Sequence, residues 1–271
     1  MPPEPEIIKK HVKRGVTVWA DRRYLDSLVK AGIGEPEVFV NRYADNLIDD
    51  VTKSKITSLT VNLGDRPFRV AAKEYLPRGG AGWLKNLFRP SKARIELLIS
   101  TRLLALGIPC PEPVAAVEIR WFRFLKKAYL FSEELTDSSS LLELMDNRGY
   151  QQLKRRQLNG VIRAIAETVA TAHVNGFFHG DLNASHIILQ EWNQDEPSIY
   201  LLDFENSKIR SSSKMKYMIK DIGRLEKSAS YFVNSRERLR FIKYYLAKID
   251  NASDLRALLK KVQAEVIKRT K

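Results

Sequence analysis

Two aspartates near the middle of the chain are the residues whose types and spacing predict chemistry. Asp181 stands in Phe178-His179-Gly180-Asp181-Leu182-Asn183, and Asp203 follows in Tyr200-Leu201-Leu202-Asp203-Phe204-Glu205. Each lies beside an apolar segment that is typical of a buried strand. One carboxylate of such a pair is suited to orient a hydroxyl group and take its proton, and the other to hold a metal ion. The pattern predicts phosphoryl transfer to an alcohol.

This pair is similar to the signature set of protein-kinase-like phosphotransferases, which is His-Arg-Asp with a later Asn, followed by Asp-Phe-Gly. Asp181 takes the position of the catalytic base and Asp203 that of the metal ligand. His186 stands where Asn is expected, and Glu205 stands where Gly is expected. His186 is a candidate metal or nucleotide contact. Because Mg²⁺ prefers oxygen ligands, His186 is predicted either to contact a phosphate or water, or to leave a site for one metal ion.

A lysine and a glutamate earlier in the chain are placed where a nucleotide site needs them. Lys73 ends a Val-Ala-Ala-Lys run, close to the Val-Ala-Ile-Lys pattern whose lysine contacts ATP phosphates. Glu96 falls on a predicted helix over residues 91–106, from which it reaches Lys73 as an ion-pair partner. An exposed helix glutamate is the alternative interpretation. Glu133 and Leu135, at the predicted boundary between two lobes, complete the predicted nucleotide contacts.

The elements around these residues predict an α+β, two-lobed protein-kinase-like fold. Strands are predicted over residues 56–61, 68–75, 114–118 and 128–131. They form a small antiparallel β-rich N-lobe with one key helix over residues 36–135. Residues 136–271 form a larger, mainly helical C-lobe. This lobe contains the loop with Asp181, called the catalytic loop. Residues 1–35 are an N-terminal extension.

Two further residues are predicted to have structural roles. His173, on the helix before the catalytic loop, is interpreted as a buried structural histidine. Asp221, in Ile219-Lys220-Asp221-Ile222, is predicted to brace the catalytic loop by hydrogen bonding to its backbone.

The chain is strongly basic, since 46 Lys and Arg against 32 Asp and Glu give a net charge of +14. This balance implies an anionic partner, such as nucleic acid, phosphorylated sugars or an acidic lipid surface. A diffusely basic, solvated surface is the alternative. Nucleic acid is not expected, because the aromatic residues form no base-stacking pattern. The single Cys110 excludes an intramolecular disulfide, and no His/Cys cluster has zinc spacing.

The sequence also carries expectations about location. No stretch reaches the roughly 18 apolar residues needed to span a bilayer. The start, Met-Pro-Pro-Glu-Pro-Glu, lacks the basic-then-apolar order of a signal peptide. The expected location is cytoplasmic, with any membrane contact peripheral and made through basic surface.

Three stretches of the chain resemble the lipopolysaccharide kinase family. The resemblance is strongest to the lipopolysaccharide core heptose kinases of Gram-negative bacteria, with the Kdo kinases as close relatives. The matching stretches are Lys73 with Arg78–Leu87, Ala93–Glu96 with Leu106–Pro109, and the catalytic loop with Ile219–Ile222. In these heptose kinases, too, His stands at the position of His186.

The resemblance implies an ATP- and Mg²⁺-dependent kinase. Its acceptor would be a sugar hydroxyl of the lipopolysaccharide inner core or a related anionic glycan, at the anionic cytoplasmic face of the inner membrane. Gly180 stands where these heptose kinases commonly have Arg, and Asn183-Ala184 is nearer the Kdo-kinase form of the loop. Which sugar accepts the phosphate therefore stays open.

Three other functions stay open as well. They are a small atypical protein kinase, an antibiotic phosphotransferase and a pseudokinase scaffold. The changes at His186 and Glu205 favour a scaffold. The presence together of Lys73, Glu96, Asp181 and Asp203 argues against it.

Overall fold

Residues Met1–Ala105 and Pro111–Glu134 form one structural unit of the chain, and Leu106–Cys110 and Leu135–Lys271 form a second. The computed structural model describes residues 6–51, 54–63, 66–75, 89–122, 124–147, 149–211, 214–230, 232–249, 260–262 and 264. The three-part division of the chain predicted from the sequence stays a prediction. The connector with Arg78–Leu87, which contributes to the family resemblance, lies outside the described residues.

The first unit is built on a seven-stranded sheet in the order β1-β2-β6-β7-β5-β4-β3. Its strands are β1 (Ile7–Lys13), β2 (Val16–Asp21), β3 (Ala44–Val51), β4 (Ser54–Leu63), β5 (Arg66–Tyr75), β6 (Pro113–Trp121) and β7 (Phe124–Glu133). Every neighbouring pair is antiparallel. The helices in the described residues of this unit are α1 (Arg22–Ala31), α2 (Pro36–Tyr43) and α3 (Lys92–Ala105).

Successive side chains of a strand point to opposite faces of a sheet. The apolar residues of these strands therefore belong to two cores, one on each face. Val18 of β2 joins a core that includes Leu28 of α1 and Phe39 of α2. The next residue, Trp19, joins a smaller core that includes Leu97 of α3. The first two helices therefore cover one face of the sheet and α3 covers the other.

The hairpin predicted around Lys73 is present as β4 and β5. Lys73 pairs with Ile56 of β4 and with Leu130 of β7, near the end of its strand. No strand was predicted in residues 1–35, yet the structure forms β1 and β2 there and pairs β2 with β6. The same region contains α1, which ends at Gly32 in a left-handed conformation.

The second unit is mainly helical in its described residues. Its helices are α4 (Leu141–Asp146), α5 (Arg155–Val174), α6 (Lys214–Ala229) and α7 (Ser235–Ala247). Its strands are β8 (Ser138–Ser140), β9 (Phe177–Phe178), β10 (Ile187–Gln190), β11 (Ser198–Leu201) and β12 (Lys208–Ile209). A Ser140–Glu143 capping box starts α4, and an Asn234–Glu237 capping box starts α7.

A two-stranded ladder of β9 and β12 leads into the catalytic loop, with Lys208 opposite Phe178. Glycines stand at both ends of β9. A Cβ atom at Gly176 would lie 2.4 Å from the backbone oxygen of Arg210, and one at Gly180 would lie 2.2 Å from that of Asn206. Both glycines have positive φ angles, so the backbone requires glycine at these positions for conformation as well as for space.

None of the helices in the described part of the chain combines the length and the apolar character that crossing a bilayer requires.

Candidate active site

The first unit holds the predicted ion pair between Lys73 and Glu96. Lys73 Nζ on β5 lies 3.7 Å from Glu96 Oε2 on α3, and both side chains are largely shielded from solvent. The hydroxyl of Tyr75 donates a hydrogen bond to the same carboxylate. Lys73 Nζ also lies 5.0 Å from the ring centre of Tyr75. The glutamate and the tyrosine thus fix the position of a cation on the strand; Tyr75 was not predicted from the sequence.

In the second unit, Asp181 lies in a loop that is held through its backbone. The loop follows β9, and Gly180 has a φ angle of 78° there. Asp221 Oδ2 accepts a hydrogen bond from the backbone N–H of His179 at 2.7 Å, and Oδ1 accepts one from Gly180 at 3.0 Å. The Asp181 side chain itself is 48% exposed, which leaves it accessible to a substrate. The predicted brace by Asp221 is confirmed.

Asp221 is itself held by the buried side chain of His173, which in turn contacts the buried Tyr245. His173 Nε2 lies 3.5 Å from Asp221 Oδ2, and Nδ1 of the same ring lies 2.7 Å from the hydroxyl of Tyr245 on α7. Burial favours a raised pKa of Asp221, but the hydrogen bond and charge of His173 outweigh it, and the pKa is lowered. Burial raises the pKa of Tyr245. His173 is therefore a structural histidine, as predicted.

Arg224, on α6, lies near both Asp221 and the proposed base, Asp181. Its Nη1 lies 3.4 Å from Asp221 Oδ1, and its Nε lies 3.9 Å from Asp181 Oδ1. The guanidinium thus places a positive charge beside both carboxylates. Arg224 was not predicted from the sequence. The sequence feature that could have predicted it is its position four residues after Lys220, on the same face of the helix.

His186 connects the two aspartates that the sequence analysis paired. Its Nδ1 lies 2.8 Å from the backbone oxygen of Asp181, and its Nε2 lies 3.6 Å from Oδ2 of Asp203. The ring stacks on that of His179, with the centres 5.6 Å apart and the planes 7° from parallel. Asp203 has a φ angle of 64°, a left-handed conformation that is uncommon outside glycine.

His179 holds the strand segment before Asp203. Its Nε2 lies 2.8 Å from the backbone oxygen of Leu202, so Nε2 carries the proton that this carbonyl accepts. The side chain is buried, and burial is the main cause of its lowered pKa. The imidazole is therefore neutral at pH 7 and fixes residue 202 relative to the catalytic loop.

The donor atoms around Asp203 fit a Mg²⁺ ion that is held mainly by its substrate. Magnesium sites with nucleotides use one or two protein carboxylates, with phosphates and water completing the shell. Asp203 would supply the carboxylate, and His186 would supply a nitrogen, which Mg²⁺ accepts less readily than oxygen. In the part of the chain that the structure describes, no group of three or more His, Cys, Asp or Glu side chains forms a fuller metal site. The predicted one-metal alternative stays a prediction.

Of the other predicted nucleotide contacts, Glu133 ends β7 in the first unit and Leu135 belongs to the second unit. The Glu133 carboxylate accepts a hydrogen bond from the backbone N–H of Glu112 at 3.2 Å. The backbone oxygen of Leu135 accepts a hydrogen bond from the hydroxyl of Ser138 at 2.7 Å. Their roles in nucleotide binding, like those of the other predicted site residues, stay predictions.

The fold and the placement of these residues define a protein of the protein-kinase-like class. A family model described as the lipopolysaccharide kinase (Kdo/WaaP) family matches residues 83–245. Because the match covers more than half of the chain, the chain belongs to the lipopolysaccharide kinase (Kdo/WaaP) family. The resemblance stated from the sequence is confirmed.

Curated relatives support this membership over part of their length. A "3-deoxy-D-manno-octulosonic acid kinase" of Haemophilus influenzae (strain PittEE) is 27% identical over 134 residues, which are 49% of this chain and 52% of the relative. A protein of the same name from Mannheimia succiniciproducens is 30% identical over 111 residues, which are 41% of this chain and 42% of the relative. The chain thus matches about half the length of these relatives.

A solved structure is similar over nearly the whole chain. It is described as "WaaP in complex with acyl carrier protein", and it matches with a TM-score of 0.64 at 17% identity. The match covers 90% of this chain and 96% of that chain. This likeness concerns the fold, and the predicted α+β, two-lobed kinase-like class is confirmed.

Proposed function

We propose that this protein is an ATP- and Mg²⁺-dependent kinase that phosphorylates a sugar hydroxyl of the lipopolysaccharide inner core or of a related surface glycan. The observation that carries the proposal is the position of His186, which contacts both the backbone of Asp181 and the side chain of Asp203. Family membership and the names of the curated relatives support it.

Asp181 is the proposed base. Its carboxylate would accept a hydrogen bond from the acceptor hydroxyl and take the proton as the hydroxyl oxygen attacks the terminal phosphorus of ATP. The bond from that phosphorus to the bridging oxygen breaks, and ADP leaves. The brace from Asp221 keeps the loop in place, so the carboxylate does not have to be ordered when the substrate binds. Arg224 places a positive charge 3.9 Å from Oδ1 of this carboxylate.

Lys73, Glu96 and Asp203 are the proposed phosphate-handling residues. Lys73 would contact phosphate oxygens, with Glu96 and Tyr75 fixing its position. Asp203, with His186 beside it, would hold the metal ion. Mg²⁺, when bound, neutralises charge on the phosphate oxygens of ATP. Glu133 and Leu135 are proposed to contact the rest of the nucleotide.

The acceptor sugar is proposed at the level of its class. A heptose of the inner core is one candidate, from the resemblance to heptose kinases. A 3-deoxy-octulosonic acid is the other, supported by the names of the curated relatives and by the Asn183-Ala184 form of the loop. Both sugars occur in anionic glycans, and the charge of +14 favours such an acceptor.

We further propose that the protein binds peripherally to the anionic cytoplasmic face of the inner membrane. The net charge supports attraction to acidic lipids. Trp121 and Phe122, at the turn between β6 and β7, are 62% and 77% exposed, and Lys126 lies 5.6 Å from the ring centre of Trp121. Exposed aromatic rings beside a cation suit the interface between lipid headgroups and acyl chains.

The experiment that tests the kinase function is ATP-dependent phosphate transfer to purified lipopolysaccharide core. Wild type, Asp181→Asn and Asp146→Asn are compared with Mg²⁺ present. Asp146 is an exposed carboxylate of the same unit and serves as the matched control. We expect Asp181→Asn to lower kcat by about 10²- to 10⁴-fold, the usual contribution of a general base, and the control to retain activity.

Other results would assign one of the alternative functions. Transfer to protein alone would indicate an atypical protein kinase, and transfer to an aminoglycoside would indicate an antibiotic phosphotransferase. ATP binding without transfer to any acceptor would indicate a pseudokinase scaffold. Each of these results contradicts the proposed sugar-kinase function.

A further inference from the structure

A predominantly polar cavity of about 400 Å³ lies beside Asp181 in the second unit. Asp181 lines it, together with Lys208 of β12 and with Tyr217, Lys220 and Arg224 of α6. Asp203 and His186 do not line it, so the cavity is distinct from the proposed metal position. A cavity that contains the base and not the metal ligands is placed to hold the acceptor rather than the nucleotide.

Three cations face this cavity from two different elements. Lys220 and Arg224 lie one helical turn apart and therefore on the same face of α6. Lys208 lies opposite Phe178 on the ladder that leads to the catalytic loop. Lys208 Nζ is 5.7 Å from the ring centre of Tyr217, which itself packs against Phe178 at 5.3 Å between ring centres. The aromatic pair thus positions the cation.

Two carboxylates, Asp181 and Asp221, also line the cavity, and the cavity cation that each of them pairs with is Arg224. Asp221 accepts the two backbone hydrogen bonds of the catalytic loop and is paired with His173 and Arg224. Within the described ranges, neither Lys208 nor Lys220 forms an ion pair with a carboxylate. Two lysines without such partners in one cavity favour a bound oxyanion, because a charged hydrogen bond to an oxyanion is about twice as strong as a neutral one.

We propose that this cavity binds a carboxylate or phosphate group of the acceptor sugar through Lys208, Lys220 and Arg224, and so places a neighbouring hydroxyl at Asp181. The inference rests on the proposed kinase function and adds to it the part of the acceptor that is recognised. Lys208 and Lys220 are specificity residues in this scheme, since they contact the acceptor away from the reacting oxygen.

Direct binding tests the inference without requiring phosphate transfer. Calorimetry with the full chain, in the absence of ATP, compares 3-deoxy-D-manno-octulosonic acid with its neutral methyl ester. A second arm compares a heptose phosphate with the unphosphorylated heptose. We expect at least one charged sugar to bind about ten-fold or more tightly than its neutral form, the effect of one hydrogen bond to a charged group. The arm that shows this preference identifies the anion.

Variants assign the preference to the cavity. Lys220→Ala and Lys208→Ala, on different elements, should each weaken binding of the charged sugar about ten-fold or more and leave the neutral sugar unaffected. Lys220→Arg keeps the charge and should restore much of the affinity. Lys216→Ala is the matched control, because Lys216 is an exposed lysine of the same helix that does not line the cavity. Thermal unfolding checks that each variant is folded.

Kinetics separate this inference from the proposed function. With a charged acceptor, Lys220→Ala should raise the acceptor KM about ten-fold and leave the KM for ATP unchanged. Charge-dependent binding that Lys220→Ala abolishes, without any transfer, would keep the inference and contradict the kinase function. Wild-type affinity that is equal for charged and neutral sugars in both arms would overturn the inference, as would an equal effect of Lys216→Ala.

Discussion

The Nε2 atom of His186 lies 3.6 Å from Oδ2 of Asp203. The other ring nitrogen lies 2.8 Å from the backbone oxygen of Asp181, and because a carbonyl only accepts hydrogen bonds, that nitrogen carries a proton. In the neutral ring, Nε2 then presents a lone pair towards the carboxylate. A histidine oriented through one nitrogen by a backbone carbonyl is a common arrangement beside protein-bound metals.

We predict that substitutions at His186 and Asp203 change the requirement for Mg²⁺ to different extents. Asp203→Asn removes the charged oxygen ligand and should raise the Mg²⁺ concentration for half-maximal phosphate transfer by about ten-fold or more, in the range seen when metal sites lose supporting groups. His186→Asn supplies an oxygen, which Mg²⁺ prefers, and should retain or lower the requirement.

Rates measured against free Mg²⁺ concentration check this order. His186→Ala is the comparison that supplies no ligand atom, and it should raise the requirement above that of wild type. An unchanged Mg²⁺ requirement in Asp203→Asn would show that this carboxylate does not hold the metal.

Loss of the cation on β5 should weaken ATP binding. Lys73→Met keeps the aliphatic stem and removes the charge, and we expect the KM for ATP to rise about ten-fold or more, the effect of one hydrogen bond to a charged group. Lys55→Met is the matched control, because Lys55 is an exposed lysine on the neighbouring strand. A similar change of KM in both variants would mean that general charge, rather than the pair with Glu96, determines nucleotide affinity.

The brace at Asp221 should make stability depend on pH. The pKa of Asp221 lies below its ordinary value of 3.8 in the folded protein, so the ionised carboxylate stabilises the fold above about pH 4. This contribution is lost as the pH falls through the folded pKa. At pH 7, Asp221→Asn should lower the free energy of unfolding by about 1–3 kcal/mol, the cost of unpaired buried polar groups.

Chemical unfolding at pH 7 and at pH 3 measures this difference. The gap between wild type and Asp221→Asn should be smaller at pH 3 than at pH 7, because the contribution of the ionised carboxylate declines once the pH falls below the ordinary pKa of 3.8. Asp146→Asn, at an exposed position, should leave stability nearly unchanged at pH 7. A gap that stays constant with pH would contradict a role for the Asp221 charge.

Gly180→Ala should displace the catalytic loop. The added Cβ would lie 2.2 Å from the backbone oxygen of Asn206, and the φ angle of 78° is unfavourable for alanine. We expect a loss of about 1–3 kcal/mol of stability, as for residues held in rare backbone conformations, with a larger loss of kcat than of ATP affinity. Gly107→Ala also has a positive φ but meets no atom within 4 Å, and it controls for conformational strain alone.

The positions that were easiest to predict from the sequence are those that belong to a short, recognisable run of neighbouring residues. Asp181, Asp203 and Lys73 each stand in a short run with fixed spacing, and the structure places each beside a strand. Glu96 was predicted from the helix that carries it, and its distance from Lys73 agrees with the predicted pair.

The strands near the N-terminus were not predicted, for a physical reason. β2 pairs on both sides, with β1 and with β6, and most of its residues are buried, so it has no alternation of polar and apolar residues. Periodicity alone does not separate such a run from other buried segments. β1 was missed with it, because its pairing depends on β2.

Contacts between residues that are far apart along the chain also could not be predicted from the sequence. Arg224 meets Asp181 only because α6 passes the catalytic loop, and Tyr75 meets Glu96 only because α3 covers that face of the sheet. The cations of the cavity come from β12 and α6, and no motif joins them. Folding, rather than spacing along the chain, creates that cluster.

The two glycines that flank β9 have a consequence for regiochemistry. They allow the backbone of β12 to lie directly against the strand that leads to Asp181, so a peptide ladder sets the distance from Lys208 to the base. In the proposed acceptor site, Lys208 binds the anionic group of the sugar. The hydroxyl that reaches Asp181 is therefore the one whose distance from this anionic group matches the distance from Lys208 to Asp181. Isomers that carry the same groups at another spacing would bind without presenting a hydroxyl for phosphorylation.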